Sequence, residues 1–161
     1  MILQVLTLLA LLGATLVSGT LFGFSSFVMP ALARLPAPEA VRAMQVINVA
    51  AVRPGFMVPF LGTTLIALVV GTWALLGAGA GGARAALIAG SALYVVGVFA
   101  VTAGVHVPRN EALAAVHPGG PEAALAWARY VSAWTTWNHV RAAAGAASAL
   151  AFAWALRVHS G

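Results

Sequence analysis

The stretch from Trp127 to Arg141 holds the residues of this chain whose types and spacing best suit a chemical site. At about 100° per residue of helix, its aromatic and polar side chains fall within about 120° of one face. That face consists of Trp127, Tyr130, Val131, Trp134, Trp137, Asn138 and Arg141. An amide and a permanent cation beside a flat aromatic surface suit a flat ligand that carries oxygen atoms. The same face would also serve as an aromatic belt whose arginine reaches lipid headgroups.

The composition places this face in a membrane protein. Hydrophobic residues make up 62% of the 161 residues and charged residues only 7%, so a water-soluble fold would expose too much apolar surface. Charge-free runs occur in four places, and a bilayer core of about 30 Å requires about 20 apolar residues per helix. The sequence therefore predicts an all-α fold, a four-transmembrane-helix bundle in one domain over residues 1–161. The predicted spans are about 3–28, 56–77, 85–107 and 137–157, and the predicted location is the cell membrane, crossed several times.

The segments between the spans carry further polar residues. Within residues 36–54, Pro38 and Glu39 are typical of the start of a helix, and no glycine or proline interrupts residues 40–53. This pattern predicts an amphipathic helix between spans 1 and 2. Asn48 lies on the apolar side of this helix and therefore needs a hydrogen-bond partner. Span 1 is expected to end near Pro30, because proline disfavours helical backbone in the residue before it. The aromatic-rich helix leads directly into the short fourth span.

The third span ends in Thr102, His106 and Asn110, which are spaced four residues apart along one side of a helix. Polar residues at membrane depth usually face the interior of the bundle. Pro108 is expected to kink or end this helix. His106 lies inside an apolar run and is the side chain at that depth that can transfer a proton near neutral pH. A hydrogen-bonded structural role is the alternative for this ring.

The charges and motifs exclude several classes of function. The formal charge of +5 comes from arginines spread singly over loops, which does not indicate nucleic-acid binding. There is no cysteine, no HExxH motif and no carboxylate cluster, so no metal site is predicted. The chain has no aspartate, so a Ser-His-Asp arrangement is excluded. No cofactor is apparent, and haem bound through His106 is the remaining alternative.

Two patterns concern orientation and association. The positive-inside rule places the first and third loops in the cytoplasm, since most arginines lie in or beside them, namely Arg34, Arg42, Arg53, Arg109, Arg129 and Arg141. Gly19 and Gly23 form a GxxxG motif, which would suit either packing inside one protomer or a homo-oligomer. The lipid bilayer and a small hydrophobic aromatic ligand are the other expected partners.

Four sequence blocks, taken together, are typical of one family of membrane proteins. They are Ser26–Leu32, Ile47-Asn48, Val107–Leu113 and Trp134–Arg141, and the most specific is the closing W-x-x-W-N-x-x-R motif. Through these blocks nearly the whole chain resembles the anthrone oxygenase-like family of small membrane proteins. The resemblance implies a four-helix membrane fold and, as in characterised fungal relatives, oxidation of anthrones to anthraquinones by dioxygen. At the place of His106 the family often has an amide.

The resemblance and the helical faces select the same polar residues, Asn48, Asn110, Asn138 and Arg141, which we expect to share a pocket at one end of the bundle. An oxygenase of this kind would remove a proton from a phenolic ring system and let the carbanion or enolate react with dioxygen. In that chemistry Arg141 and the amides would stabilise the negatively charged oxygen, and His106 would be the base. Trp134 and Trp137 would stack on the rings, with Tyr130 beside them. The alternative is a non-catalytic membrane protein that binds a quinone-like or lipid-like ligand or supports a partner.

Overall fold

The computed structural model describes residues 1–159 of the chain, and these form helices joined by short turns. The helices are α1 (Ile2–Leu32), α2 (Ala37–Ala51), α3 (Pro54–Leu75), α4 (Gly81–Ala114) and α5 (Ala123–His159). The described residues contain no strand. The predicted all-α class is therefore confirmed, and a helix occurs at each predicted place, including the segment between the first two long helices.

Three of these helices, α1, α3 and α4, are long and apolar enough to cross a bilayer. They fit a membrane protein, as the composition predicts. The fourth long helix, α5, has 37 residues but does not reach the same hydropathy, because polar and aromatic side chains occupy its first half.

Two helices run through prolines at which the sequence predicted an end or a kink. The prediction that α1 ends near Pro30 was wrong, because α1 continues to Leu32, and α4 passes Pro108 and continues to Ala114. In both cases a π-helical turn precedes the proline, at Phe24–Val28 and at Thr102–His106. The backbone N–H of Met29 bonds the carbonyl of Phe24, five residues earlier, and that of Val107 bonds the carbonyl of Thr102. This wider turn accommodates a proline ring that would clash in a regular α-helix.

The long helices pack so that α1 contacts α3 and α5, while α4 contacts the same two helices from the other side. An apolar cluster lies at one end of the long helices, where α2 covers the aromatic half of α5. Its members are Met29, Ala40, Val41, Met44, Leu113, Trp127, Tyr130 and Trp134. The Gln45 amide holds α2 in place by donating hydrogen bonds of 2.9 Å to the carbonyls of Leu113 and Val116. Helix α2 therefore covers one end of the long helices in a fixed position.

Helices α4 and α5 lie in close contact at Gly97, and this contact provides a test of the packing. A methyl group added at Gly97 would lie 2.5 Å from the Cβ of Ala144, which has no rotamer that could relieve the clash. Gly97→Ala should therefore be less stable than Gly104→Ala by about 1–3 kcal/mol, because α4 and α5 must separate. Gly104 is the matched control, since its added methyl would meet nothing within 4 Å. Equal thermal unfolding of the two variants in detergent would contradict this close contact.

Candidate functional site

Three aromatic side chains of α5 form a stack beneath α2. The ring centroids of Trp127 and Tyr130 lie 5.8 Å apart and those of Tyr130 and Trp134 lie 6.4 Å apart, both with nearly parallel planes. Each of the three side chains is buried. The His106 ring meets Trp134 edge-on at 5.1 Å. The stack is thus a fixed wall, and Trp134 is the member of it that lies nearest to the buried polar groups.

Asn110 ties this wall to α4. Its side-chain oxygen Oδ1 accepts hydrogen bonds from the Tyr130 hydroxyl at 2.8 Å and from Trp134 Nε1 at 3.2 Å. The Tyr130 hydroxyl in turn accepts a long bond of 3.5 Å from Asn48 Nδ2. Two donors on one oxygen fix the orientation of the Asn110 amide, so its NH₂ group faces away from them. That NH₂ group has no partner among the described residues and can donate to a ligand.

Arg141 lies on the other side of Trp134 and is 5% exposed. Its Nη1 donates to Thr102 Oγ1 at 3.1 Å and its Nη2 donates to Asn138 Oδ1 at 2.5 Å. The guanidinium carbon lies 5.4 Å from the centroid of the Trp134 ring, in a cation–π arrangement. Its Nε is buried and has no hydrogen-bond partner among the described residues. One of the three guanidinium nitrogens is therefore buried without a hydrogen-bond partner.

Within residues 1–159, no carboxylate pairs with Arg141. The chain has three acidic residues in all, and Glu39, Glu111 and Glu122 are each exposed. An isolated buried cation is costly unless it is paired, and hydrogen bonds to neutral groups offset only part of that cost. The site is consequently electropositive, and a negatively charged ligand would stabilise it.

Asn138 holds Arg141 to helix α1. This side chain is fully buried, and its Nδ2 donates to the Leu21 carbonyl at 2.7 Å and to Ser25 Oγ at 2.6 Å. Ser25 belongs to the π-helical turn of α1, and Thr102 and His106 belong to a π-helical turn of α4. Such turns often occur at functional sites, because they redirect side chains and release backbone groups for other partners. Both turns direct polar groups towards the same region of α5.

His106 is 1% exposed, and carbonyl oxygens face both of its ring nitrogens. Nδ1 lies 3.5 Å from the carbonyl of Val101 and Nε2 lies 3.3 Å from that of Trp134. A neutral imidazole can donate to only one of these carbonyls, and the lone pair of its other nitrogen then faces a backbone carbonyl and not a ligand. This geometry favours a structural role, in which the ring supports Trp134. The surroundings also do not fit a haem ligand, which needs a free nitrogen directed at the iron.

The predicted site residues fall into two groups joined by Trp134. Asn48, Tyr130 and Asn110 are linked on one side of its ring, and Asn138 and Arg141 are linked on the other. Trp137 departs from the predicted wall, because it is 40% exposed and takes part in no ring contact among the described residues. The helical-face argument did not identify Ser25 or Gln45 as site residues, since a lone Ser or Gln gives no sequence signal of its own.

The described residues offer no alternative chemistry based on a metal ion, because no group of three or more His, Cys, Asp or Glu side chains among them could hold one. Two surface depressions lie elsewhere. One of about 690 Å³ is on the outer face of α2, and one of about 760 Å³ runs between α1 and α5 and is lined mostly by apolar side chains. The polar residues grouped around Trp134 therefore remain the candidate site. Its members are Asn48, Thr102, Asn110, Tyr130, Asn138 and Arg141, and Arg141 provides its permanent charge.

Comparison with known proteins agrees with the resemblance seen in the sequence. No curated protein and no solved structure matches this chain. A family model described as anthrone oxygenase matches residues 55–151, which is more than half of the chain. The matched range contains Thr102, Asn110, Trp134, Asn138 and Arg141. The chain therefore belongs to the anthrone oxygenase family.

Proposed function

We propose that this protein is a four-span protein of the cell membrane that oxidises a polycyclic phenolic substrate with dioxygen, as the name of its family suggests. In this proposal α5 supplies the fourth span, with its aromatic first half at the membrane surface. The substrate loses two hydrogens from one ring carbon. One oxygen atom of dioxygen becomes the new carbonyl, and the other leaves as water.

The observation that carries the proposal is Arg141, a buried cation over the face of Trp134 whose Nε has no hydrogen-bond partner and which has no carboxylate partner among the described residues. Oxidation of an anthrone-type ring by dioxygen passes through an enolate, whose negative charge resides largely on oxygen. A preorganised cation in a site with little water stabilises such an oxygen by several kcal/mol. Arg141 therefore acts on the charge that the reaction develops.

The residues around Arg141 orient its guanidinium and the proposed ligand. Asn138 and Thr102 orient the guanidinium. Trp134, which contacts Tyr130 and Arg141 through its ring, holds the guanidinium in place. Asn110 donates from its free NH₂ group to a second oxygen of the ligand, while Tyr130 and Asn48 fix its orientation. Thr102 and Asn110 are half-buried, whereas Arg141 and Asn138 are buried.

Oxygen consumption tests the proposed activity. Full-length protein in lipid nanodiscs should consume dioxygen with an anthrone-type substrate faster than empty nanodiscs, in which the substrate oxidises spontaneously. The quinone product should form in equimolar amount. A rate equal to that of the empty nanodiscs, with several anthrones and hydroquinones, would reject the proposal.

His106 is expected to affect the rate little. Because both ring nitrogens face backbone carbonyls, we assign it a supporting role beneath Trp134 and not that of the base. His106→Asn should change kcat by less than about 10-fold and leave its pH dependence unchanged, whereas loss of a general base costs about 10²- to 10⁴-fold. The measurement is the pH profile of oxygen consumption for both proteins. A loss of the limb near neutral pH would assign His106 as the base.

The proposed topology has both termini on one side of the membrane, because four spans return the chain to its starting side. By the positive-inside rule, the arginines of the first and third loops favour a cytoplasmic position for those loops. Reporter fusions at the two ends should therefore give the same signal. A cysteine introduced at Gly119, in the third loop, should resist a membrane-impermeant thiol reagent in intact cells. Opposite signals from the two fusions would contradict the four spans, and labelling at position 119 would reverse the orientation.

A second candidate function is a non-catalytic membrane protein that binds a quinone-like or lipid-like ligand or supports a partner. The depression between α1 and α5 favours it, since a volume of about 760 Å³ with mostly apolar lining residues would accommodate a lipid chain. This protein would bind hydrophobic ligands without consuming oxygen. The oxygen measurement above therefore separates the two functions.

A further inference from the structure

The outer side of α2 carries charged and apolar side chains that have no part in the proposed function. An open depression of about 690 Å³ lies along it, lined by Pro38, Glu39, Arg42, Ala43, Val46 and Ile47. Val46 is 65% exposed, and the side chains of Glu39 and Arg42 are also exposed. The inner side of the same helix, with Val41 and Met44, is buried in the apolar cluster that includes the aromatic half of α5. Helix α2 therefore packs on the protein with one side only.

Both ends of α2 are tied to helices that are long and apolar enough to cross a bilayer. Only residues 33–36 separate it from α1, and only residues 52–53 separate it from α3. These short connections hold α2 beside the ends of the proposed spans, where lipid headgroups surround a membrane protein. An exposed valine beside charged side chains is typical of a helix that contacts this region of the bilayer.

Glu39 and Arg42 present opposite charges on the same side of α2. They are one helical turn apart, so their Cβ atoms lie about 5–6 Å from each other. This spacing would allow an ion pair, yet no hydrogen bond or ion pair joins the two side chains, and neither has another polar partner among the described residues. A ligand with one positive and one negative group fits both of them. A purely anionic ligand would be repelled by the carboxylate of Glu39.

We propose that the outer side of α2 binds the headgroup of phosphatidylethanolamine, a phospholipid with both charges. Arg42 donates to the phosphate oxygens, which match the planar fork of a guanidinium. The primary ammonium group of the lipid donates hydrogen bonds to the carboxylate of Glu39. Val46 and Ile47 contact the apolar part of the lipid next to the headgroup. Phosphatidylcholine offers the same phosphate, but its quaternary ammonium has no N–H group for Glu39.

Native mass spectrometry of the full-length protein in detergent tests the proposal on the unmodified chain. The probes are the ethanolamine, choline and glycerol phospholipids, each with two oleoyl chains. Phosphatidylethanolamine should bind at least about 3-fold more tightly than either of the other two, a difference of the size that exposed ion pairs provide. Equal or tighter binding of phosphatidylcholine or phosphatidylglycerol would overturn the proposal. A protein dimer that binds none of the three lipids would assign this side of α2 to a second copy, and would overturn it as well.

Glu39→Gln isolates the contribution of the carboxylate. This variant should bind phosphatidylcholine as before and lose the preference for phosphatidylethanolamine, because its amide carries no charge for the ammonium group. Glu111→Gln is the matched control, since Glu111 is an exposed glutamate near the end of α4 and should leave the preference intact. A preference that survives in Glu39→Gln, or that is lost in both variants, would contradict the assigned site.

Arg42→Gln isolates the contact with the phosphate. It should weaken the binding of phosphatidylethanolamine and of phosphatidylcholine alike, by at least about 3-fold, because both lipids carry the same phosphate. Arg34→Gln removes another exposed arginine close to the start of α2 and should leave both affinities unchanged. Both substitutions are on the surface, and circular dichroism confirms that the helical content is the same. Unchanged lipid binding in Arg42→Gln would overturn the proposal, whatever the outcome of the oxygen measurement.

Discussion

Replacement of Arg141 by lysine is expected to lower kcat for oxygen-dependent turnover by about 10²-fold or more, the loss typical of a removed oxyanion donor. Lysine keeps the charge but has one nitrogen in place of the planar fork, so it cannot occupy the separate positions from which Nη1 bonds Thr102 and Nη2 bonds Asn138. The measurement is oxygen consumption by both proteins in nanodiscs, with helical content compared by circular dichroism.

Arg157→Lys is the control for this experiment, because it makes the same change beside a tryptophan on an exposed part of α5. It should retain the full rate. Full activity in Arg141→Lys would count directly against an oxyanion site. The aromatic face of α5 would then be an anchor at the membrane interface, the second interpretation that its composition allows.

The fold could be predicted from the sequence to the extent that it depends on composition along the chain. Long charge-free runs and the amphipathic stretch of residues 37–51 place all five helices, since these properties are local. The passage of α1 and α4 through Pro30 and Pro108 could not be predicted. It depends on π-helical turns that are stabilised by partners on another helix, such as the bond from Asn138 to Leu21, 117 residues away.

The site was predictable by residue type and less so by arrangement. A helical face identifies Tyr130, Trp134, Asn138 and Arg141 as neighbours, because their spacing alone determines it. It does not give the depth of each side chain, and so Trp137, at the edge of that face, is 40% exposed instead of stacked. Whether Arg141 has a counter-ion depends on where three distant glutamates lie, which is a property of the folded chain.

A counter-ion built into the chain is expected to inactivate the site, because it would take the place of the ligand oxygen. Thr102 is half-buried and already accepts a hydrogen bond from Arg141 Nη1 at 3.1 Å. Thr102→Asp would place a carboxylate against the guanidinium and neutralise it. Thr102→Asn has nearly the same shape without the charge, and both variants lose the hydroxyl that bonds the Val98 carbonyl. The difference between them therefore measures the effect of charge alone.

The aspartate variant should turn over at least about 10²-fold more slowly than the asparagine variant, a loss equal to that of an oxyanion-hole donor. It should nevertheless unfold at the same temperature or a higher one, because pairing the buried Arg141 relieves its uncompensated charge. The measurements are oxygen consumption and thermal unfolding of the two variants in the same nanodiscs. A loss of activity together with gained stability would locate the reacting charge at Arg141. Equal rates in the two variants would show that the positive charge of this site has no part in the reaction.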